Sequence, residues 1–436
     1  MSLKYSLQLI LLLICVFTVS CKLSTSDDTD PPEIQLTIKG DLKELSRDIS
    51  LYLDITDDSK IDYVSVMIDD TTAITVESNF DTISFDVTPF ADESEHILFV
   101  KVADEEGNVG ESEILDVVIT EFPGWRIYDD QRLNYGDGVS PVVIDTNGQL
   151  LIGTGMGPGG FYIFDPTNNN WLQYTSDNSP MSYSSITDIK LIEDGRAWLA
   201  NNRTAIEFIY GLNQWGRIFN MPINPNNGEL EEISSIEVDK NFDLWVGTWY
   251  GGLFHYSGHN LVKQYLYPEI PSNEIHDIII GDDNTLYATT SDVGVFSLKD
   301  GIVTTYDFFS DIYWELVCVA IDSSGNVYAS QGDAGFIFNG NNWENITLPD
   351  FGARFFPMLV TNEGLLYTQG WSTGLISWDG LEWTDYQNYD SPFYNYSVQS
   401  DLGLHYESIA EAPNGDIWMV AGGKLMRYRP SLGRIP

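Results

Sequence analysis

The sequence predicts an all-β protein in which a β-sandwich is followed by a seven-bladed β-propeller. The main observation is a phrase that returns about every 40–50 residues through the last three quarters of the chain. Its fullest copy, residues 233–248, reads Ile-x-x-Ile-x-x-Asp-x-x-x-x-Leu-Trp-Val-Gly-Thr. A repeat of this period indicates one small unit stacked many times, and seven units of short strands favour a ring of small sheets. The second observation is a preceding segment in which apolar and polar residues alternate without the repeat.

The copies of the repeat can be aligned on the second residue of the Leu-Trp pair, which is Trp245 in the fullest copy. This reference residue recurs in seven copies, at Leu151, Trp198, Trp245, Tyr287, Tyr328, Tyr367 and Trp418. Apolar residues stand nine and twelve positions earlier in every copy, and a turn-forming residue stands three positions earlier in most. Each copy therefore predicts four strands, the third reading Gly-x-Phe/Leu-x-x-Tyr and the outer one often starting with Trp.

The copies also predict how the ring closes. Six outer strands follow their own copy, whereas the seventh copy ends near Tyr428 with no outer strand left. A matching segment, Trp125-Arg-Ile-Tyr128, stands before the first copy. We expect it to complete the seventh blade, because closure hides sheet edges that would otherwise pair with other chains. The recurring Trp and Tyr residues are then core packing between blades rather than ligand platforms.

Residues 33–120 lack the repeat and read as a β-sandwich. Strand periodicity is seen at residues 34–38, 49–55, 63–68, 83–87, 97–102 and 114–119. The turn Asp104-x-x-Gly107-Asn108 resembles the last hairpin of bacterial immunoglobulin-like modules, which implies an Ig-like domain. The acidic residues expected at one end of it could hold calcium, although no fixed-spacing calcium loop is present and a solvated loop is the alternative; they are Asp54, Asp57, Asp58, Asp104 and Glu105.

The N-terminus predicts export. Lys4 is followed by an apolar run at residues 9–17 that is too short to span a membrane. Thr18-Val-Ser-Cys21 resembles the lipobox of bacterial lipoproteins, which implies a signal peptide at 1–20, lipidation of Cys21 and a flexible acidic tether at 21–32. The acidic stretch after Cys21 resembles surface-export signals of Bacteroidetes lipoproteins, which implies a lipid-anchored protein of the outer membrane facing the cell surface. An ordinary cleaved signal peptide is the alternative.

Charge and cysteine content narrow the function classes. The formal net charge of −44 should repel nucleic acid and anionic lipid surfaces, so contact with the membrane is expected through the lipid anchor only. Once Cys15 leaves with the signal peptide and Cys21 carries lipid, Cys318 has no partner for an intrachain disulfide. It lies in an apolar run and is expected to be a buried, inert thiol.

The repeat resembles the two-component regulator propeller, over roughly residues 122–430. That family builds the extracytoplasmic sensors of hybrid histidine kinases in Bacteroidetes and also occurs in stand-alone lipoproteins. No kinase, receiver or DNA-binding segment is recognised in this sequence, so a signalling role would need a partner.

The candidate site lies where the innermost strands begin, near the axis of the propeller. One position before the apolar residue at minus twelve stand Gly138, Ser185, Glu232, Glu274, Glu315, Arg354 and His405. Their neighbours include Glu231, His276, Trp314, Phe356, Tyr406 and Glu407. Carboxylates, arginine and aromatic rings together suit recognition of a glycan or of an envelope protein.

Other functions stay open at this point. A polysaccharide lyase or hydrolase could use Glu232, Glu274, Glu315 or His405, and Glu with His could hold a divalent ion. The protein could instead be a structural subunit of an outer-membrane assembly, with these residues lining a hydrated tunnel mouth. We favour binding over catalysis, and we expect no cofactor or metal beyond the possible calcium. His255-x-x-x-His259 lacks the glutamate of a metalloprotease and is expected at the surface.

Overall fold

The structure is a computed structural model. It describes residues 28–430 apart from 41, 78–79, 93, 121, 123, 129–132, 134–140, 155–158, 193–194, 224–227, 229–230, 291–292, 307–317, 332–333, 348–352, 371–373, 387–405 and 422–423. Cys21 and the predicted signal peptide and tether up to residue 27 therefore lie outside the described residues. In the part of the chain that is described, no helix is long and apolar enough to cross a membrane.

The chain divides into two compact units. The first comprises the described parts of Met1–Lys39, Ser50–Ser84 and Ile97–Leu115, and the second those of Gly40–Ile49, Phe85–His96 and Asp116–Pro436. The N-terminal sheets contain β1 (Glu33–Ile38), β2 (Asp48–Thr56), β3 (Ile61–Ile68), β4 (Thr71–Val76), β5 (Thr82–Asp86), β6 (Glu95–Asp104), β7 (Val109–Glu111) and β8 (Leu115–Val118), with a 3-10 turn at Thr88–Phe90.

These strands form two sheets. One has the order β1-β2-β5, and the other has the order β4-β3-β6-β7 with β8 paired to β6. Buried and exposed residues alternate along β2 and β5, so one face of that sheet is apolar. All six predicted strands are present. The short strands β4 and β7 were not predicted, because threonines and a glycine weaken their apolar alternation.

The second unit contains seven four-stranded antiparallel sheets, the arrangement of a seven-bladed β-propeller. The first three blades are β10 (Val142–Ile144), β11 (Leu150–Gly153), β12 (Phe161–Asp165) and β13 (Asn170–Tyr174); β14 (Asp188–Ile192), β15 (Arg196–Asn201), β16 (Thr204–Ile209) and β17 (Gln214–Asn220), with a 3-10 turn at Tyr210–Leu212; and β18 (Ile233–Val238), β19 (Leu244–Thr248), β20 (Leu253–Ser257) and β21 (Asn260–Tyr265). The fourth and fifth are β22 (Asp277–Ile280), β23 (Leu286–Thr290), β24 (Gly294–Lys299) and β25 (Ile302–Tyr306); and β26 (Val319–Ile321), β27 (Val327–Gln331), β28 (Ala334–Phe338) and β29 (Trp343–Ile346). The last two are β30 (Ala353–Val360), β31 (Leu366–Gly370), β32 (Gly374–Trp378) and β33 (Trp383–Asp385); and β34 (Tyr406–Glu411), β35 (Ile417–Ala421), β36 (Lys424–Tyr428) and β9 (Trp125–Tyr128).

The ring closes as predicted. β9 pairs antiparallel with β36 in register Trp125 to Tyr428, and it becomes the outer strand of the seventh blade. The rings of Trp125 and Tyr428 pack with centroids 4.6 Å apart. The inner strands β10, β14, β18, β22, β26, β30 and β34 contact one another in sequence, and β34 contacts β10. The first strand of the propeller in the chain, β9, and its last strand, β36, are thus held in one sheet.

Turns and aromatic residues play the predicted roles. The residue three positions before the reference has a positive φ in all seven blades: Gly148, Gly195, Phe242, Asn284, Gly325, Gly364 and Gly415. The reference side chains Trp198 and Trp418 are 0% and 2% exposed, which confirms that these rings are core. The core clusters join neighbouring blades, as where Phe161 of the first blade packs edge-on against Phe208 of the second at 5.2 Å.

At five of the seven junctions between blades, a side chain of one blade accepts an amide from the free edge of the next inner strand. An inner strand pairs with its own sheet on one side only, so its other edge carries amides that need acceptors. The acceptor is the side chain ten positions before the reference residue in the preceding blade. The donating amide is nine positions before the reference. The pairs are Asp188 with Ile236 N (2.8 Å), Ser235 with Ile278 N (3.3 Å), Asp277 with Val319 N (2.9 Å) and Ser408 with Val142 N (3.0 Å).

Cys318 occupies the same position in the fifth blade. It is 6% exposed and accepts from the Met358 amide of the sixth blade. Burial raises the pKa of its thiol. The expectation of a buried, inert thiol is thus confirmed for burial, and the structure adds that the sulfur joins two blades. Pro141 and Pro357 stand at the equivalent positions of the first and sixth blades and cannot accept in this way.

Charged residues are concentrated on the inner strands of blades two to four. The Ser235 hydroxyl lies 3.0 Å from both Asp188 Oδ2 and Asp277 Oδ1, and its single proton cannot serve two carboxylates. Burial, with a further contribution from the charge of Asp188, raises the pKa of Asp277 to about 7. Lys190 Nζ lies 2.5 Å from Glu237 Oε2, and burial raises the pKa of Glu237 despite this lysine.

We expect stability to fall as pH rises from about 5 to 7. Because the folded-state pKa of Asp277 lies above its unfolded value, the native state binds the extra proton in this window, and raising the pH removes it. Asp277→Asn should flatten the dependence of the melting temperature on pH, whatever its effect at a single pH. Asp283→Asn is the control, because Lys299 holds the pKa of Asp283 at about 2, outside the window. An unchanged slope in Asp277→Asn would contradict the assignment.

A buried ion cluster anchors residues 40–49 within the second unit. Glu44, whose side chain is 2% exposed, pairs with Arg427 and, at 3.4 Å, with Arg429. Arg429 also makes two hydrogen bonds to Asp416, at 3.0 and 3.2 Å. The Leu45 amide donates to Val118 O at 2.9 Å. The cluster therefore fixes this segment against the seventh blade.

Glu44→Ala should destabilise the second unit by about 3 kcal/mol, because it leaves two largely buried guanidinium groups without one of their anions. Glu95→Ala is the matched control, since Glu95 pairs with Lys43 through a side chain that is 74% exposed. It should cost less than about 1 kcal/mol. Denaturant unfolding of both variants measures the difference, and equal costs would argue against the cluster as an anchor.

Candidate functional site

One face of the propeller collects the predicted site residues that are described. In an antiparallel four-stranded blade, the turn between the second and third strands lies on the same face as the link into the next inner strand. Glu232 and Glu274 stand in such links, before β18 and β22. Arg203 stands in the β15–β16 turn, and Trp249 and Tyr250 stand in the β19–β20 turn. We call this surface, across blades two to four, the inner-strand face.

Glu232 is held by an ion pair from the neighbouring blade. Arg203 Nη2 lies 2.8 Å from Glu232 Oε1, and the two side chains are 23% and 44% exposed. A pair this exposed contributes at most about 1 kcal/mol to stability. Both groups can therefore exchange this contact for hydrogen bonds to a ligand at little cost.

Glu274 and His276 form the second polar pair of the inner-strand face. His276 Nε2 lies 3.3 Å from Glu274 Oε1, and the side chains are 15% and 35% exposed for His and Glu. The Glu274 amide donates to Ser272 Oγ at 3.1 Å, and the His276 amide donates to Thr289 O at 2.9 Å. The backbone of this segment is thus fixed while the carboxylate and the imidazole reach the surface.

Trp249 links the two pairs, and sequence reasoning missed it. Its amide donates to Glu232 O at 3.1 Å, and its ring packs edge-on against His276 at 4.8 Å. Behind it, Glu231 is 4% exposed, and a Cβ on Gly251 would lie 2.6 Å from Glu231 Cδ. The feature of the sequence that could have indicated Trp249 is the segment Trp249-Tyr-Gly-Gly252 of the fullest repeat, where two large aromatic residues stand in a turn.

Exposed aromatic residues are found on the same face. Tyr183, in the link before β14, is 44% exposed. Tyr250, in the β19–β20 turn, is 64% exposed, and Tyr267, in the link after β21, is 68% exposed. Large rings left open to water on one face make these three tyrosines candidates for contact with a ligand.

The other predicted site residues are only partly described. Glu315, Trp314 and His405 lie outside the described residues. Arg354 belongs to β30 and Glu407 to β34, and their side chains lie outside the described part of the chain. Side chains of the predicted ring of seven positions are therefore described only at Ser185, Glu232 and Glu274, and the complete ring stays a prediction.

A cavity within the second unit lies on the opposite face. It has a volume of about 1080 Å³. The lining includes Arg126, Arg427, Arg429, Asp416 and Trp418, most of which belong to the ion cluster around Glu44. Because Arg427, Arg429 and Asp416 are already paired within the ion cluster, this cavity is better explained as the hydrated surroundings of the anchor.

His255 differs from its prediction. Its side chain is 18% exposed, stacks on Trp245 at 4.1 Å and lies 3.2 Å from Asp243 Oδ2, so the surface expectation is wrong for His255 and right for His259. Asp239 Oδ1 accepts the amides of Asn241 and Asp243, which is the turn geometry of a repeat. The cluster of Asp239, Asp243 and His255 is accounted for by these structural contacts.

Comparison with known proteins identifies the fold. No family model matches the sequence, and no curated protein matches it. A catalytically inactive histidine-to-alanine form of virginiamycin B lyase from Staphylococcus aureus, solved with quinupristin, matches with a TM-score of 0.56 at 12% identity over 70% of this chain and 98% of that one. YCF48 bound to a D1 peptide matches with a TM-score of 0.50 at 13% identity, over 71% and 97%.

Two extracellular domains of bacterial two-component systems match as well. The extracellular domain of a putative hybrid two-component system from B. thetaiotaomicron gives a TM-score of 0.57 at 15% identity over 90% of this chain. A second such domain gives 0.53 at 16% identity over 76%. This chain spans 53% and 44% of their lengths. At these identities the similarity establishes a shared β-propeller fold, in agreement with the repeat.

Proposed function

We propose that this protein is an exported recognition module that binds a glycan through the inner-strand face. The observation that carries the proposal is the coincidence, on one face, of exposed tyrosines with the Arg203–Glu232 and Glu274–His276 pairs. Aromatic rings stack on the apolar faces of sugars. Carboxylates and guanidinium groups make directional, charge-assisted hydrogen bonds to hydroxyls.

The charge of the protein favours a neutral glycan. With a net charge of −44, a polyanionic polysaccharide would be repelled before contact. Both carboxylates of the face are partly exposed and paired, so they can accept hydroxyl hydrogen bonds without leaving a buried charge. A neutral glycan therefore fits this surface better than an acidic one.

The proposed location is outside the cytoplasm, on a lipid anchor at Cys21 in the outer membrane. The matching domains from B. thetaiotaomicron are extracellular, which supports this location. We further propose that residues 33–120 form an Ig-like sandwich that acts as a spacer between the tether and the propeller.

A second candidate is a polysaccharide-active enzyme. The specific observation is the Glu274–His276 pair, which places a carboxylate and an imidazole 3.3 Å apart at the surface, two group types that can act as general acid or base. The lyase match shares the fold only, so its activity is not transferred to this chain.

The binding proposal predicts the effect of one double variant. Trp249→Ala combined with Glu274→Ala should weaken binding of a glycan identified on a neutral glycan array by at least tenfold, because it removes a ring and a hydrogen-bonding carboxylate together. Glu363→Ala is the matched control, since Glu363 is exposed in a turn on the opposite face. Calorimetry measures both. Equal affinities of the double variant and the control would exclude the inner-strand face.

Two further results separate the alternatives. Release of products from the bound glycan, lost in Glu274→Gln, would select the enzyme. An empty array with stoichiometric capture of an envelope protein, unaffected by the double variant, would select the assembly subunit.

A further inference from the structure

Three aspartates from distant segments meet at one end of the first unit. Asp28 precedes β1, Asp57 follows β2, and Asp104 ends β6. One carboxylate oxygen from each lies within 4.8 Å of the other two. Of the acidic residues expected to cluster here, Asp57 and Asp104 do so. Asp54, Asp58 and Glu105 are exposed, and Asp28 takes the third place.

Asp104 is fixed by the hairpin that follows it. It is 2% exposed and accepts the Asn108 amide at 2.8 Å and Asn108 Nδ2 at 2.7 Å. Asn108 Nδ2 also donates to Asp28 O at 2.9 Å. The segment before β1 is therefore held against the hairpin, and the spacing of the three carboxylates is set by backbone that is itself hydrogen-bonded.

Two oxygens of the cluster are buried without a donor. Asp28 Oδ2 and Asp57 Oδ2 are shielded from solvent and, among the described residues, accept no hydrogen bond. A buried carboxylate oxygen without a donor is costly, and it calls for a proton, a cation or a water molecule as its partner. Lys60, close to Asp57 in sequence, pairs with Glu105 instead.

Electrostatic interactions among the three aspartates change their pKa values. Burial raises the pKa of Asp57, and the charges of Asp28 and Asp104 raise it further, although the Asp58 amide opposes this. Asp104 stays ionised, because the hydrogen bonds from Asn108 outweigh its burial and lower its pKa. Three carboxyl groups held this close form a concentration of acidic groups that a bound cation would neutralise.

We propose that Asp28, Asp57 and Asp104 bind a calcium ion. The side-chain ligands are carboxylate oxygens with no nitrogen or sulfur, which suits a hard cation. The segments that supply them are irregular, which calcium tolerates better than magnesium does. The bound ion would join Asp28, seven positions after Cys21, to the loops after β2 and β6. Calcium would therefore fix the point at which the tether ends and the folded unit begins.

The direct test is calorimetric titration of the purified, calcium-depleted protein with CaCl₂. We expect one site, weakened at least tenfold by Asp57→Asn and by Asp104→Asn, and weaker binding of MgCl₂. Asp58→Asn is the control, because Asp58 is the exposed neighbour of Asp57 and should leave the affinity unchanged. Absence of calcium binding at millimolar concentration, or equal affinity in Asp57→Asn and wild type, would overturn the proposal.

Thermal unfolding separates loss of a ligand from loss of the fold. Without calcium, Asp57→Asn should melt no lower than wild type, because it removes repulsion and keeps an Oδ1 that can accept the Asp58 amide. The second measurement uses about 5 mM CaCl₂, a concentration well above the dissociation constants of calcium sensor proteins. Under this condition the melting temperature of wild type should rise, whereas that of Asp57→Asn should not. If the aspartates do not bind calcium, Asp57→Asn should still melt no lower than wild type without calcium, but calcium should not raise the melting temperature of wild type. That pattern would refute the proposal.

Discussion

The propeller depends on how its inner strands satisfy their free edges. A strand that pairs on one side only presents amides that must find acceptors or water on the other side. Here a side chain of one blade accepts the amide of the next, through Asp188, Ser235, Asp277, Cys318 and Ser408. The blades are therefore joined by directional bonds as well as by apolar packing.

This arrangement also positions the inner-strand face. Glu232 stands four residues before Ile236, and Glu274 stands four residues before Ile278. Because the amides of Ile236 and Ile278 are tied to the preceding blade, the start of each inner strand is fixed, and so is the place where each glutamate reaches solvent. The same bonds that hold the ring set the spacing of the polar pairs.

Burying carboxylates at these junctions has an electrostatic consequence. Asp188, Glu237 and Asp277 all have raised pKa values, because burial disfavours their charged forms. In a chain that carries a net charge of −44, these raised pKa values mean that the carboxyl groups at the junctions bind protons more readily than exposed ones do. The protein therefore combines a large negative net charge with buried carboxyl groups whose pKa values are raised.

Much of the fold could be predicted because it repeats. Seven copies fixed the strand positions, the turn residues and the role of Trp125 as the start of the closing strand, since each copy tests the others. The site was harder, because ligand contacts break the repeat. Trp249 was missed as a turn residue, and Asp28 was assigned to a flexible tether, because only the folded chain brings each of them to its partners.

Amide hydrogen exchange of the native protein tests the junctions most directly. If side-chain acceptors hold the inner edges, the amides of Val142, Ile236, Ile278 and Val319 should exchange only through global unfolding, as slowly as amides in the second strands of the same blades. Exchange of these four amides at the rate of exposed turns would contradict the account, because it would mean that water, and not the neighbouring blade, satisfies the free edges.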